Sequence, residues 1–240
     1  MATELIRSFS APDLPDEPAH RALLTRAAVG ESLSFPVADP PDVALSAILR
    51  ARRSTRFFDD AAVPAPVLAG VVTRGLGDDA DSWAAEQDCC PLAADVVAFR
   101  VDGLAPAMYA LNPLPPSFTP LASLPSDEAM REMTIQSEFC DSAAIVAITG
   151  DVERASRRHG GHGYRQLMSR AGAAAYAMWL EAIGHGLVGT VFAGFIPASV
   201  RIPLDCDGAS RHQLFALAVG SPVRTTPEPA AASAARLDTP

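Results

Sequence analysis

The chain has 240 residues, 49% apolar and 20% charged, with 28 acidic side chains against 19 basic ones and a formal charge of −9. Such a composition is globular and long enough for one sizeable core or two small domains, and its acidity excludes the basic footprint of a nucleic-acid binder. Every basic residue other than the histidines is arginine, so no lysine can act as a Schiff-base former or a general base.

Four cysteines, Cys89, Cys90, Cys140 and Cys206, are too few for a disulfide scaffold, and none forms a CxxC pair. Reduced thiols in a cytoplasmic protein are expected, with no metal site. Acidic residues and prolines occupy the region a signal peptide would need for its apolar stretch. Residues 182–200 carry no formal charge, but Gly184, Gly186, Gly189, Gly194 and Pro197 interrupt them, so a buried helix end, strand and loop is expected and no membrane span.

Residues 1–42, rich in proline and aspartate with one helix-like patch at 19–28, read as an arm that wraps or links. The compact domain is expected over 43–223. Asp42 can cap a helix through Val43, Leu45, Ile48 and Leu49, and residues 64–73 suggest a second, with Gly75 past its end. Residues 95–101 read as a strand, Asp102-Gly103 as a turn, and 104–111 as the hairpin partner. A proline-rich loop follows at 113–125, then a helix from Ser126 through Glu138 and a buried strand at 143–149. The stretch SRRHGGHG at 156–163 resists regular structure. Residues 165–183 form the longest helical run, rich in alanine and suited to close backbone approach, and strands are expected at 187–192 and 213–219. Residues 224–240 read as a disordered tail. Strands interspersed with helices, one hairpin and no repeated βαβ period give an α+β fold. No Walker loop or GxGxxG follows a strand, which removes support for mononucleotide kinases and Rossmann dehydrogenases.

The densest chemical signal is Arg50-Ala51-Arg52-Arg53-Ser54-Thr55-Arg56, four guanidiniums and two hydroxyls in an otherwise acidic chain. Planar guanidinium forks pair bidentately with phosphate oxygens, so the cluster suits a phosphate monoester.

This cluster resembles the FMN-binding signature RRSTRxF of the nitroreductase-like flavoproteins, at the end of the first core helix as here. Four further segments follow in that family's order. Val101-Asp102-Gly103-Leu104-Ala105-Pro106-Ala107-Met108-Tyr109 resembles the VDGLxPGLY hairpin of the SagB/McbC-like branch, which oxidises azolines in ribosomal peptides. Gly163-Tyr164-Arg165 and the alanine-rich run to Leu187 are similar to that branch's long helix, and residues 190–195 to its flavin-facing loop. Leu217-Ala218-Val219-Gly220 resembles the terminal strand. The resemblance implies a central, mostly antiparallel sheet flanked by helices, in a dimer with FMN at the subunit interface. It implies that Arg52, Arg53, Ser54 and Arg56 hold the phosphate and ribityl end, that Phe192, Ala193 and Gly194 lie along the isoalloxazine, and that Arg224 adds a second phosphate contact.

Two segments depart from the pattern. The Lys-Tyr pair of azoline dehydrogenases is replaced by Arg158-His159; a neutral imidazole suits proton abstraction near neutral pH, so His159, or His162 beyond it, is the expected base, with Arg158 beside it. Residues 74–91 lack the Pro-Ser-Ala-Gly segment that closes over the flavin. The expected function is FMN-dependent dehydrogenation of thiazoline or oxazoline rings, with a peptide substrate, a homodimer or a heterodimer with a paralogue, and a cyclodehydratase partner. The alternatives are a degenerate, non-catalytic partner subunit, an NAD(P)H-dependent nitro or quinone reductase, and a phosphate-binding sensor.

Overall fold

The computed structural model describes residues 26–87 and 89–223. Its frame is a seven-stranded sheet in the order β1-β6-β5-β3-β7-β9-β8. The strands are β1 Leu33–Ser34, β3 Ala93–Ala98, β5 Ala107–Pro113, β6 Pro116–Ser123, β7 Ala144–Gly150, β8 Val188–Phe192 and β9 His212–Gly220. Every neighbouring pair in it is antiparallel. A separate parallel pair joins β2 Val63–Pro64 to β4 Val101–Asp102. The helices are α1 Leu45–Ala51, α2 Ala65–Ser82, α3 Ala84–Gln87, α4 Asp127–Arg131, α5 Val152–His159, α6 Gly161–Gly184 and α7 Pro197–Val200. The architecture is thus the expected α+β sheet flanked by helices.

Both faces of the sheet are covered, which explains why β7 reads as a continuous apolar run with all seven residues buried. On one face Val96, Val146 and Leu217 pack against Leu68 and Val72 of α2 and Leu167 and Met178 of α6. On the other, Val97, Ile145 and Ala216 meet Met133, Phe139, Phe195 and Leu204 from the loops.

Helix α2 runs through Gly75 rather than stopping before it. A Cβ on Gly75 would lie 2.4 Å from Met178 Cγ, so the glycine makes room for α6 against α2, and packing overrides its low helix propensity. The same interface is joined by Arg170, 1% exposed, whose Nε and Nη2 donate to the two carboxylate oxygens of Asp79 at 3.0 and 2.7 Å.

Several boundaries differ from those expected. Asp42 does not cap α1; Ala44 precedes it without a side-chain cap. The proline-rich stretch 113–125 is not a loop, because β6 runs through it. Pro120 sits opposite Tyr109 where the β5–β6 ladder shifts register, so the missing N–H falls at an irregularity that tolerates it. Beyond Ser126, whose hydroxyl accepts from Ala129 N, the helix lasts only to Arg131, and a 3-10 turn occupies Ser137–Asp141. The stretch 156–163 is mostly helical: Asp151 caps α5 by accepting from Arg154 N at 2.7 Å, and only Gly160, at φ 59°, separates α5 from α6.

Residues 29–35 lie along the far sheet edge, and beyond them the chain turns onto α2, where Ala38 N donates to Pro66 O at 3.1 Å and Ala38 O accepts from Arg74 Nη1 at 3.0 Å. Val29 N donates to Pro120 O at 2.9 Å, β1 pairs with β6, and Phe35 meets Phe118 edge-on at 5.9 Å. Most of the expected patch at 19–28, and the tail from 224 on, lie outside the described residues. Among the described residues no helix is long and apolar enough to cross a membrane.

Candidate active site

The arginine cluster follows α1 directly. Ile48, the one buried residue of that helix, anchors it, and Arg52 N donates to Ile48 O at 2.9 Å to close the last turn. The chain then runs alongside β8: Ser54 bridges Gly189 in parallel and Thr55 N donates to Gly189 O at 3.0 Å. Glycine is needed at 189, because a Cβ there would come within 2.2 Å of Ala218 O on the neighbouring strand.

The Arg52 guanidinium lies 5.1 Å from the Trp179 ring centre and 5.8 Å from that of Tyr176, both on α6. Its Nε–H is buried without an acceptor, as is the indole Nε1–H of Trp179. Arg53 is turned back on its own chain, donating to the carbonyls of Arg50 and Arg52 at 3.0 and 2.8 Å. Ser54 and Arg56 are exposed. Among the described residues none of Arg50, Arg52, Arg53 and Arg56 has a carboxylate partner, although acids outnumber bases in this chain. Cations without counter-ions beside two buried donors without acceptors make a set that an anionic oxygen would complete.

Strand β8 rises about 3.3 Å per residue, so its far end lies on the order of 10 Å from the Ser54–Gly189 bridge. There Phe192 turns its ring into the second core, 4.2 Å from that of Phe139. Ala193 is left exposed. Gly194 has φ +116°, a conformation side chains rarely adopt, and a Cβ on it would fall 2.0 Å from the Gln213 amide. That amide holds the turn from both sides, with Nε2 donating to Ala193 O and Oε1 accepting from Phe195 N, each at 3.2 Å. The structure therefore places Arg52, Arg53, Ser54 and Arg56 at one end of β8 and Phe192, Ala193 and Gly194 at the other, along one edge. The clamp by Gln213 and the aromatic floor of Trp179 and Tyr176 escape the sequence, since a single amide or ring carries no spacing signal.

A cavity of about 370 Å³ adjoins this turn, lined by Phe195, Val200, Arg201, Asp207, His212 and Gln213 among others. His212 begins β9, and the Tyr164 ring meets it edge-on at 6.3 Å.

Arg158 and His159 lie elsewhere in the chain. Both close α5 and turn to Glu86 of α3: His159 Nε2 is 2.8 Å, and Arg158 Nε 3.7 Å, from Glu86 Oε2. The hydrogen bond from His159 holds the Glu86 carboxyl below its ordinary pKa. Glu86 precedes β3, which β7 and β9 separate from β8, so within one chain this pair is not brought to the Phe192–Gly194 turn. His162 lines a crevice with Trp83 and His159. Arg224 lies outside the described residues.

The pattern of the nitroreductase family matches residues 49–221, from the last turn of α1 to just past β9. The chain belongs to the nitroreductase family. No curated protein matches it in sequence. Among solved structures, the nitroreductase fold of a protein from Ralstonia eutropha, described as a nitroreductase, is similar at 19% identity with a TM-score of 0.64, over 88% of this chain and 100% of that one. A protein of the same description from Anabaena variabilis is similar at 19% identity and a TM-score of 0.61 over 74% of this chain, which spans only 38% of that one. A chain of the E. coli microcin synthetase McbBCD complex, with truncated pro-MccB17 bound, is similar at 15% identity and a TM-score of 0.57, over 82% of this chain and 79% of that one. These likenesses establish the nitroreductase fold for the sheet and helices described above.

Proposed function

We propose that this nitroreductase-family chain is an FMN-dependent oxidoreductase that dehydrogenates thiazoline or oxazoline rings in a peptide. The observation that carries the cofactor assignment is the edge along β8, where uncompensated arginines and two buried N–H donors lie at one end and a clamped, exposed turn at the other. FMN, the cofactor of the family, has the matching polarity, with a dianionic phosphate at one end and a flat ring at the other. In this reading Arg52, Arg56 and Ser54 bind the phosphate and ribityl oxygens, while Arg53 stiffens the loop that presents them. Phe192, anchored on Phe139, fixes the height of the turn, and Gln213 fixes the Ala193 and Gly194 backbone against which the ring rests. Bound there, FMN supplies hydride transfer.

The azoline assignment is supported by the hairpin Val101-Asp102-Gly103-Leu104, in which Gly103 takes φ +93°, and by likeness to a chain of a synthetase that holds a peptide. The cavity beside the turn is of a size to admit one ring and its flanking residues. His212 is the imidazole lining it and would accept the ring proton, with the Tyr164 ring edge-on beside it. A dimer sharing this edge fits the exposed apolar side chains Leu45, Leu49 and Phe57 around the cluster.

The test is the visible spectrum of the purified chain with FMN added, followed by incubation with a thiazoline-containing peptide. Stoichiometric flavin and a product lighter by two hydrogens are expected. Flavin binding without peptide oxidation, but with NAD(P)H-driven nitro reduction, would replace the azoline reading by the reductase one. A colourless protein that takes up no FMN would overturn both and favour a non-catalytic partner subunit.

A further inference from the structure

A second group of reactive side chains lies on the helical layer, away from β8. Glu86 lies at the end of α3, Cys89 and Cys90 follow it, and His159 reaches Glu86 from α5, so the four come from segments 73 residues apart in sequence. The ligand atoms of Glu86, Cys89 and Cys90 lie within 4.8 Å of one another. Three groups converge on one oxygen: His159 Nε2 at 2.8 Å, the Cys89 thiol at 3.3 Å and Arg158 Nε at 3.7 Å from Glu86 Oε2. Glu86 and Cys90 are 8% and 1% exposed.

The backbone beneath is fixed. Cys89 N and Cys90 N both donate to Glu86 O, at 3.3 and 2.7 Å, and Cys90 O accepts from the buried Arg170 at 2.9 Å. A hydrogen-bonded His–Glu pair needs neither thiol, and a structural thiol needs no carboxylate beside it. Two sulfurs, one imidazole nitrogen and one carboxylate oxygen are instead the donor set of a borderline-soft divalent ion.

We propose that Glu86, Cys89, Cys90 and His159 bind one zinc ion, a structural site independent of the flavin reading. With Zn–S of about 2.3 Å and Zn–N and Zn–O of about 2.0 Å, a tetrahedral ion holds its donors roughly 3.3–3.8 Å apart. The Cys89–Glu86 separation is already in that range, while His159, bonded to Glu86 but outside the mutually close trio of Glu86, Cys89 and Cys90, has to turn toward the sulfurs as its hydrogen bond opens by about half an ångström. Each thiol gives up its proton to solvent as its sulfur lone pair is donated, and no electron is transferred. Two thiolates and a carboxylate around the ion leave one excess negative charge, which Arg158 faces. Access is open from both sides: Cys89 lines a cavity of about 90 Å³ with Asp151 and Arg154, and His159 borders the crevice with Trp83 and His162.

The experiment uses the full chain, freed of any affinity tag, dialysed against chelator and titrated with Zn²⁺, then with Co²⁺ as the spectroscopic probe. One metal per chain is expected, with the sulfur-to-cobalt charge-transfer band and strong visible bands of a tetrahedral thiolate site. The variant C89S/C90S loses that band, and H159Q weakens binding by at least about tenfold. If C89S/C90S does not fold, the wild-type cobalt spectrum together with H159Q decides. No uptake of either metal, or cobalt bound without a thiolate band, would overturn the proposal.

Discussion

Replacing Arg52 with methionine should move stability and cofactor affinity in opposite directions. Methionine keeps an apolar stem against Trp179 and Tyr176 and removes the guanidinium. In the chain without cofactor, that guanidinium carries a buried Nε–H with no acceptor, a penalty of about 1–3 kcal/mol. It recovers about 0.5–2 kcal/mol from its position 5.1 Å from the Trp179 ring centre. The two nearly cancel, so cofactor-free Arg52→Met should melt at or above the wild-type temperature; for a chain of this size 1 kcal/mol corresponds to about 2–4 °C. With phosphate present the orphaned donor finds its acceptor, and a hydrogen bond to a charged group contributes about 1.5–3 kcal/mol. Loss of that contact should raise the FMN dissociation constant by about 10- to 150-fold. Fluorescence titration of FMN and a thermal melt of the same cofactor-free protein measure both quantities. Unchanged FMN affinity, or a melting point lowered by more than about 6 °C, would refute the assignment of Arg52 to the phosphate.

Arg170→Met should be among the most destabilising single changes, by about 3–5 kcal/mol in a urea melt, because among the described residues it leaves the buried Asp79 carboxylate with Gln87 as its one side-chain donor; adding Asp79→Leu should return much of the loss. Glu86 has its pKa lowered by His159, so the stability it contributes is present above the unfolded value of 4.5 and lost as pH falls through the lower folded value. The stability difference between wild type and Glu86→Gln, followed by chemical denaturation against pH, should therefore be largest near neutrality and shrink in acid; a difference that grew on acidification would contradict the pairing. Gly189→Ala should cost about 2 kcal/mol or more and release the arginine loop from β8, read as lower melting temperature and weaker flavin retention together. His212→Ala should retain flavin while lowering peptide oxidation by about 10²-fold, measured by product mass over time.

The parts of the fold legible in sequence are those where local pattern and tertiary environment agree. The runs at β3, β7 and β9 are mostly apolar, with Asp95, Thr149, His212 and Gln213 as their polar members, because both sheet faces are covered, and their expected bounds fall within about three residues of the observed ones. The errors occur where one contact outweighs composition. Gly75 looks like a helix stop until Met178 is seen filling the space its side chain would take. The prolines of β6 look like loop until its register shift is seen opposite Tyr109. Residues 156–163 look irregular, yet a single glycine at φ 59° is enough to separate α5 from α6, and Gly163 is needed because a Cβ would lie 2.1 Å from Ala155 O. For the site, a cluster dense in one residue type is visible in the sequence; the Gln213 clamp and the pairing of His159 with Glu86 join single residues far apart along the chain, where no spacing rule reaches.

The net charge of −9 conceals how the charges are sorted. Where an arginine serves the packing, it meets an acid: Arg26 on Asp95 at 2.6 Å, Arg170 on Asp79 at 2.7 Å, and Arg74 on Glu181 across α2 and α6. The four arginines of residues 50–56 meet none among the described residues. In a chain with this surplus of carboxylates that is not a shortage of partners. Strand β8, against which the cluster lies, is a run of uncharged residues, and the ring floor under Arg52 is aromatic. Among the described residues the fold thus surrounds its densest positive charge with groups that cannot neutralise it, at the cost of like-charge repulsion. A bound anion offsets such repulsion, which is why the same residues that weaken the isolated chain are those expected to hold the phosphate.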